Sequence, residues 1–155
     1  MHINMPHAVA KALNGEPVSL DDILAEAANA TKLAIASIGE IDICGIVKHK
    51  EDTRWMMVLE DVSGGGRWRT QDFDLNGFVG HITFATKEQA IEHAASMCFT
   101  IRDDEALDRI QDTPAFQAGI YACEQLRLLN GRDITLTEYG VRMHAYHRAA
   151  SASQH

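Results

Sequence analysis

Apolar positions recur with helical spacing over residues 20–38, where Leu20, Ile23, Leu24, Ala27, Thr31, Ala34, Ile35 and Ile38 fall on one stripe. Ser19 and Asp22 form an acidic version of the capping box, which starts this helix, and Gly39 ends it. Its later part is apolar on every side, which predicts burial. A short helix is expected before it, over residues 6–14.

The period then changes. "IDICGIVKH" and "TRWMMVLEDV" are rich in β-branched and aromatic residues with interrupted alternation, and "RWRTQDFDL" and "FVGHITFA" flank Asn76-Gly77. Asn-Gly between two such runs predicts a two-residue type I′ hairpin. That turn sets Leu75 opposite Phe78, Phe73 opposite Gly80, Gln71 opposite Ile82 and Arg69 opposite Phe84 on a core face. On the other face Asp74 meets Val79, Asp72 meets His81 and Thr70 meets Thr83, with Trp68 near Ala85. Ser63-Gly64-Gly65-Gly66 joins the two middle strands; it lacks the Lys-Ser/Thr of a phosphate loop and reads as a hairpin connection.

Helical spacing returns after Thr86, a cap with Gln89 at the capping-box position, and Ala90, Ile91, Ala94 and Met97 make the stripe. "EALDRIQ" is a short acidic helix. Thr113-Pro114 opens a longer one with Phe116, Gly119, Ile120, Cys123 and Leu126 inward, ended by Asn130-Gly131. Thr137 caps a last helix to about residue 149, with Leu136, Tyr139, Met143 and Tyr146 as its stripe. These elements predict one α+β domain over residues 1–155: an antiparallel three- to four-stranded β-meander with helices before and after it, packed on one face. Residues 1–18 and 150–155 are expected to be loosely ordered.

Charge changes the functional picture more than the fold. The 155 residues carry 14 Lys and Arg against 22 Asp and Glu, a net charge of −8. That balance argues against direct nucleic-acid binding, which needs a basic footprint, and is compatible with a basic protein partner or with solubility alone. No apolar run is long enough for a membrane span, and the first residues lack a signal-peptide pattern, so a cytoplasmic location is expected. Cys44, Cys98 and Cys123 sit in apolar stretches and read as reduced, buried thiols.

Chemistry-bearing patterns are sparse. His144 and His147 stand three apart on the last helix, but no third ligand accompanies them, and neither a metal nor a cofactor is expected. Asp72 beside His81 is the nearest approach to an acid–base pair. Arg67, Trp68 and Arg69 join cations to an aromatic anchor, and Asp103, Asp104, Glu105 and Asp108 form the densest acidic run, continued by Asp112.

The expectation is a small acidic, non-catalytic interaction protein. It would be an inhibitor or decoy, of the kind phages and plasmids carry, acting on a basic nucleic-acid-handling protein. Its binding residues would be Trp68, Arg67, Arg69, Asp103, Asp104, Glu105 and Asp108. Two other readings stay open: a small enzyme using His81 with Asp72, and an assembly subunit that self-associates through its C-terminal helices.

Overall fold

The computed structural model describes residues 7–152, with side chains from residue 10 onward. In chain order the elements are α1 (His7–Leu13), α2 (Leu20–Ile38), β1 (Cys44–His49), β2 (Arg54–Glu60), β3 (Trp68–Asp74), β4 (Gly77–Phe84), α3 (Lys87–Ser96), β5 (Phe99–Arg102), α4 (Ala106–Ile110), α5 (Pro114–Asn130) and α6 (Leu136–Ala152). The strands form one sheet in the order β4-β3-β2-β1-β5, antiparallel throughout. The α+β meander flanked by helices is therefore what forms, extended by a fifth strand. Residues 1–6 and 153–155 of the expected terminal segments lie outside the described residues.

The fifth strand arises where α3 stops. Met97 and Cys98 donate their N–H groups back to His93 O and Ala95 O, and Cys98 takes a positive φ of 63°. The reversal sends Phe99–Arg102 back along β1. Four residues are too few for alternation to reveal a strand in the sequence.

Helices cover both faces of the sheet and not the single face expected, and this explains the interrupted alternation of the first two strands. Register sets Val47 opposite Met56, so these two and Val58 share a face and join Ile38, Ile41, Ala90, Ala94 and Phe99 in one core, beneath α2 and α3. Their chain neighbours Ile46 and Trp55, with Phe73 opposite Trp55, point the other way and join Ala106, Ile110 and Phe116 of α4 and α5. A strand buried on both sides has no reason to alternate. In the second core the Trp55 ring stacks on Phe73 at 5.7 Å, and Phe116 meets the edges of Phe73 at 6.4 Å and Phe78 at 5.5 Å.

The β3–β4 register differs from the one an Asn-Gly turn implies. Asp74 pairs with Gly77, so Leu75 and Asn76 form the turn and Gly77, at φ +115°, begins β4. A bulge follows: Phe73 pairs with Phe78 but Asp72 pairs with Gly80, leaving Val79 unmatched. From there Gln71 faces His81, Thr70 faces Ile82 and Trp68 faces Phe84. The cause lies in α5. Gly119 is seated against the backbone of Asn76 and Gly77, so closely that a methyl group at Gly119 would overlap the Asn76 carbonyl.

Caps follow local chemistry. Ser19 and Asp22 form the full reciprocal box, and Thr86 accepts from Gln89 N–H while Gln89 Oε1 accepts from Ala85 N–H. Thr113 caps α5, with Pro114 in its first turn. The last helix starts two residues earlier than a cap at Thr137 would place it. Thr135 is its cap, and Glu138 Oε2 accepts from Thr135 N–H at 2.7 Å and from its hydroxyl at 2.9 Å.

Gly119→Ala should destabilise the fold by about 1–3 kcal/mol, the usual cost of forcing atoms into a packed contact. Gly80→Ala should cost far less, because a Cβ there meets nothing within 4 Å. Urea unfolding of the two variants compares them directly; equal midpoints would contradict the α5–turn contact.

Candidate functional site

The acidic run is built into the fold at the point where the chain leaves β5. Asp103 N–H donates to Ile46 O at 2.9 Å, and Asp104 Oδ1 accepts from Ile46 N–H at 2.9 Å. The Asp104 carboxylate thus stands in for a strand carbonyl after β5 has ended, and Arg102 Nε holds its other oxygen at 2.6 Å. Asp103 Oδ2 accepts from the buried Trp55 indole at 2.9 Å, while Arg109 Nη2 reaches both Asp103 oxygens at 2.8 and 2.7 Å. Desolvation pushes the Asp103 carboxyl up, but the hydrogen bonds from Arg109 and Trp55 outweigh it and hold the group below its ordinary range. Glu105 just before α4, Asp108 on it and Asp112 just beyond it are exposed.

Arg67, Trp68 and Arg69 do not converge. Strand alternation turns Trp68 toward α3, half-buried against the first core with Lys87 Nζ 5.1 Å from its ring centre. Lys87 is fixed there by donating to Ile41 O at 2.6 Å. Arg69 pairs with Leu59 and Thr83 on the opposite face, where its Nε is buried without a hydrogen-bond partner. Arg67 is exposed at the end of the glycine loop.

The pairing of Asp72 with His81 is replaced. The bulge sets Gln71 opposite His81 and Asp72 opposite Gly80, so the two side chains belong to opposite faces. Asp72 points toward α3, where burial pushes its carboxyl up against the opposing pull of His93 and then Arg54. The His93 ring lies 5.2 Å from that of Phe84. His144 and His147 are both exposed on α6, and the described residues contain no group of three or more His, Cys, Asp or Glu arranged to hold a metal.

The cysteines are exposed, not buried. Cys123 Sγ lies 3.6 Å from Phe78 O. At Cys44, desolvation and then the charge of Asp104 push the thiol up, the reverse of what a nucleophilic thiolate needs.

What sequence reasoning missed is an apolar surface. The apolar stripe from Leu20 to Ile38, expected to be buried in its later part, is fully buried only at Ile38. Ala34 and Ile35 pack partly, whereas Leu20, Ile23 and Leu24 are 69 %, 50 % and 57 % exposed. The first half of α2 therefore runs past the core, tied to α1 by the Lys11–Asp22 ion pair at 3.2 Å. Periodicity identifies an apolar face but not what covers it. No helix among the described residues is long and apolar enough to cross a membrane. Compared with known proteins, the chain matches no family model, no curated protein and no solved structure.

Asp103→Ala should cost about 2 kcal/mol, the scale of charge-assisted hydrogen bonds whose partner is left buried. Asp108→Ala should stay within about 0.5 kcal/mol of wild type. Because the folded Asp103 carboxyl lies below its ordinary value, its contribution is complete above about pH 4 and is lost as pH falls below that. Acid titration of stability in wild type and Asp103→Ala would read this: the wild-type advantage should shrink on acidification, and a constant difference would contradict it.

Proposed function

We propose that this chain is a non-catalytic protein-binding module that presents the apolar face of α2 to a groove on a basic partner. The observation that carries this reading is the exposure of Leu20, Ile23 and Leu24 on one face of a capped helix. Anchors at that spacing are what a groove reads in an amphipathic helix. Exposed acids flank the start of the helix, Glu16 before it and Asp21 within it. A groove rimmed by Lys or Arg complements them, and like-charged competitors are repelled.

A nucleic-acid-handling protein has such a basic surface, and covering it would make this chain an inhibitor or decoy. In that reading Glu105 and Asp108 add to the negative field that steers the encounter. Asp103 and Asp104 act through the fold, and Arg67, Trp68 and Arg69 contribute no single anchor. The open face of α6, with Leu136 and Val141 exposed, favours as a second reading an assembly subunit joined through its C-terminal helices.

The double variant Ile23→Ser, Leu24→Ser should melt as wild type does and lose at least tenfold, about 1.4 kcal/mol, in affinity for a partner captured from the host. Binding by wild type should weaken with salt. Undiminished affinity in the double variant would remove α2 as the binding element. Lost affinity in Val141→Glu alone would favour the second reading.

A further inference from the structure

We propose that β4 is a self-pairing edge, through which two copies of the chain join antiparallel about a two-fold axis at Ile82 and merge their five-stranded sheets into one.

The two edges of the sheet are not alike. β5 has four residues and its outward edge is partly covered: Ser37 of α2 donates to Thr100 O at 3.0 Å. β4 is eight residues long and includes no charged residue and no proline, in a chain of net charge −8. Exposed edges are ordinarily guarded by lysine, proline or inward charge. Here Val79 and Ile82 are instead 68 % and 50 % exposed, and the bulge lies only at the turn end of the strand.

The direction of the free main-chain groups follows from the ladder. Glu60 N–H donates to Ile43 O and Asp61 N–H to Arg67 O. Successive residues bond to opposite sides, so Leu59 and Met57 bond to Arg69 and Gln71. Trp68, Thr70 and Asp72 are left to bond to Phe84, Ile82 and Gly80. The N–H and C=O groups of His81 and Thr83 therefore point out of the sheet. Ala85 N–H, next in that outward set, is already taken by Gln89 Oε1.

One antiparallel register uses all of these groups. With His81 of each copy opposite Thr83 of the other, every outward N–H and C=O of the two residues is bonded. Ile82 of one copy then meets Ile82 of the other. Phe84 lies opposite Gly80, where a side chain meets open space. On the opposite face the imidazole of His81 lies beside the Thr83 hydroxyl. Large and absent side chains at symmetric distances from Ile82 make the strand complementary to itself. No residue of the strand itself is charged, and the Asp61 carboxylate beside it is held by the Thr83 hydroxyl at 3.0 Å, which keeps like charge off the line of approach between two acidic chains.

Light scattering on the full chain should give twice the chain mass at micromolar concentration, and Ile82→Lys should give a single chain with an unchanged far-UV spectrum. In this register the two Ile82 Cα atoms form a non-hydrogen-bonded pair about 4.5 Å apart, within disulfide reach. Ile82→Cys should accordingly cross-link into covalent dimers under mild oxidation. Val79→Cys and wild type, with its three native cysteines, should not. A wild type that stays a single chain at all concentrations overturns the proposal. So does a dimer that survives Ile82→Lys while Ile82→Cys fails to cross-link, which would move the contact to α6 or α2. Should Ile82→Lys fail to fold, the position-specific cross-link decides alone.

Discussion

The chain changes faces of the sheet at Asp103, and the hydrogen bonds of that carboxylate hold the crossing. Before it, α2 and α3 cover one side; after it, α4 and α5 cover the other. Asp103 ties the crossing to Trp55 in the middle of the second core and to Arg109 on the helix that begins it. Asp104 extends the β1 ladder past the last residue of β5. The indole N–H is buried and would be orphaned without its acceptor, so the aromatic stack of Trp55 on Phe73 depends on it. The geometry of α5, and through Gly119 the turn that sets the β3–β4 register, follows from where this crossing delivers the chain.

That constraint redistributes the functional candidates. Charge density alone makes residues 103–108 the most conspicuous surface in the sequence, yet two of its carboxylates are committed to main-chain and indole donors. Acids engaged in this way stabilise the fold and have little left to offer a partner. Trp68 is likewise committed, under Lys87 and beside Phe84. Binding energy concentrates where apolar area is unclaimed, and here that means the first half of α2 and the β4 edge.

The legible parts of the sequence were those set by neighbours within four residues. The boxes at Ser19–Asp22 and Thr86–Gln89, the Thr113-Pro114 start and the meander of four strands all follow from local chemistry. The β3–β4 register was not legible, because Asn76-Gly77 carries a strong hairpin signal that a contact with Gly119, distant in sequence, overrides. Coverage of both sheet faces left a trace, the broken alternation of β1 and β2, but only register shows which side each residue takes. Exposure of the cysteines and of Leu20, Ile23 and Leu24 had no signature at all, since an apolar stripe looks the same whether or not anything packs on it. The Thr135–Glu138 box was visible in the sequence and lost to Thr137 two residues further on.

Charge sorts the two unclaimed surfaces by the partner each can accept. The apolar face of α2 begins between exposed acids, so a second copy approaching it would set Glu16 and Asp21 against their own kind, whereas a basic rim would be attracted. β4 has the opposite character: no charge along its length, main-chain groups directed outward, and a side-chain profile that matches itself about Ile82. A neutral edge on an acidic protein is an aggregation hazard unless something closes it, and pairing about a two-fold axis closes it with a finite assembly instead of a growing one. A dimer formed there carries two α2 faces. Against a partner with two grooves the second contact becomes intramolecular, and affinity rises without any new contact being added. Neutral surface for its own copy and acid-flanked surface for a basic partner are thus compatible parts of one binding protein.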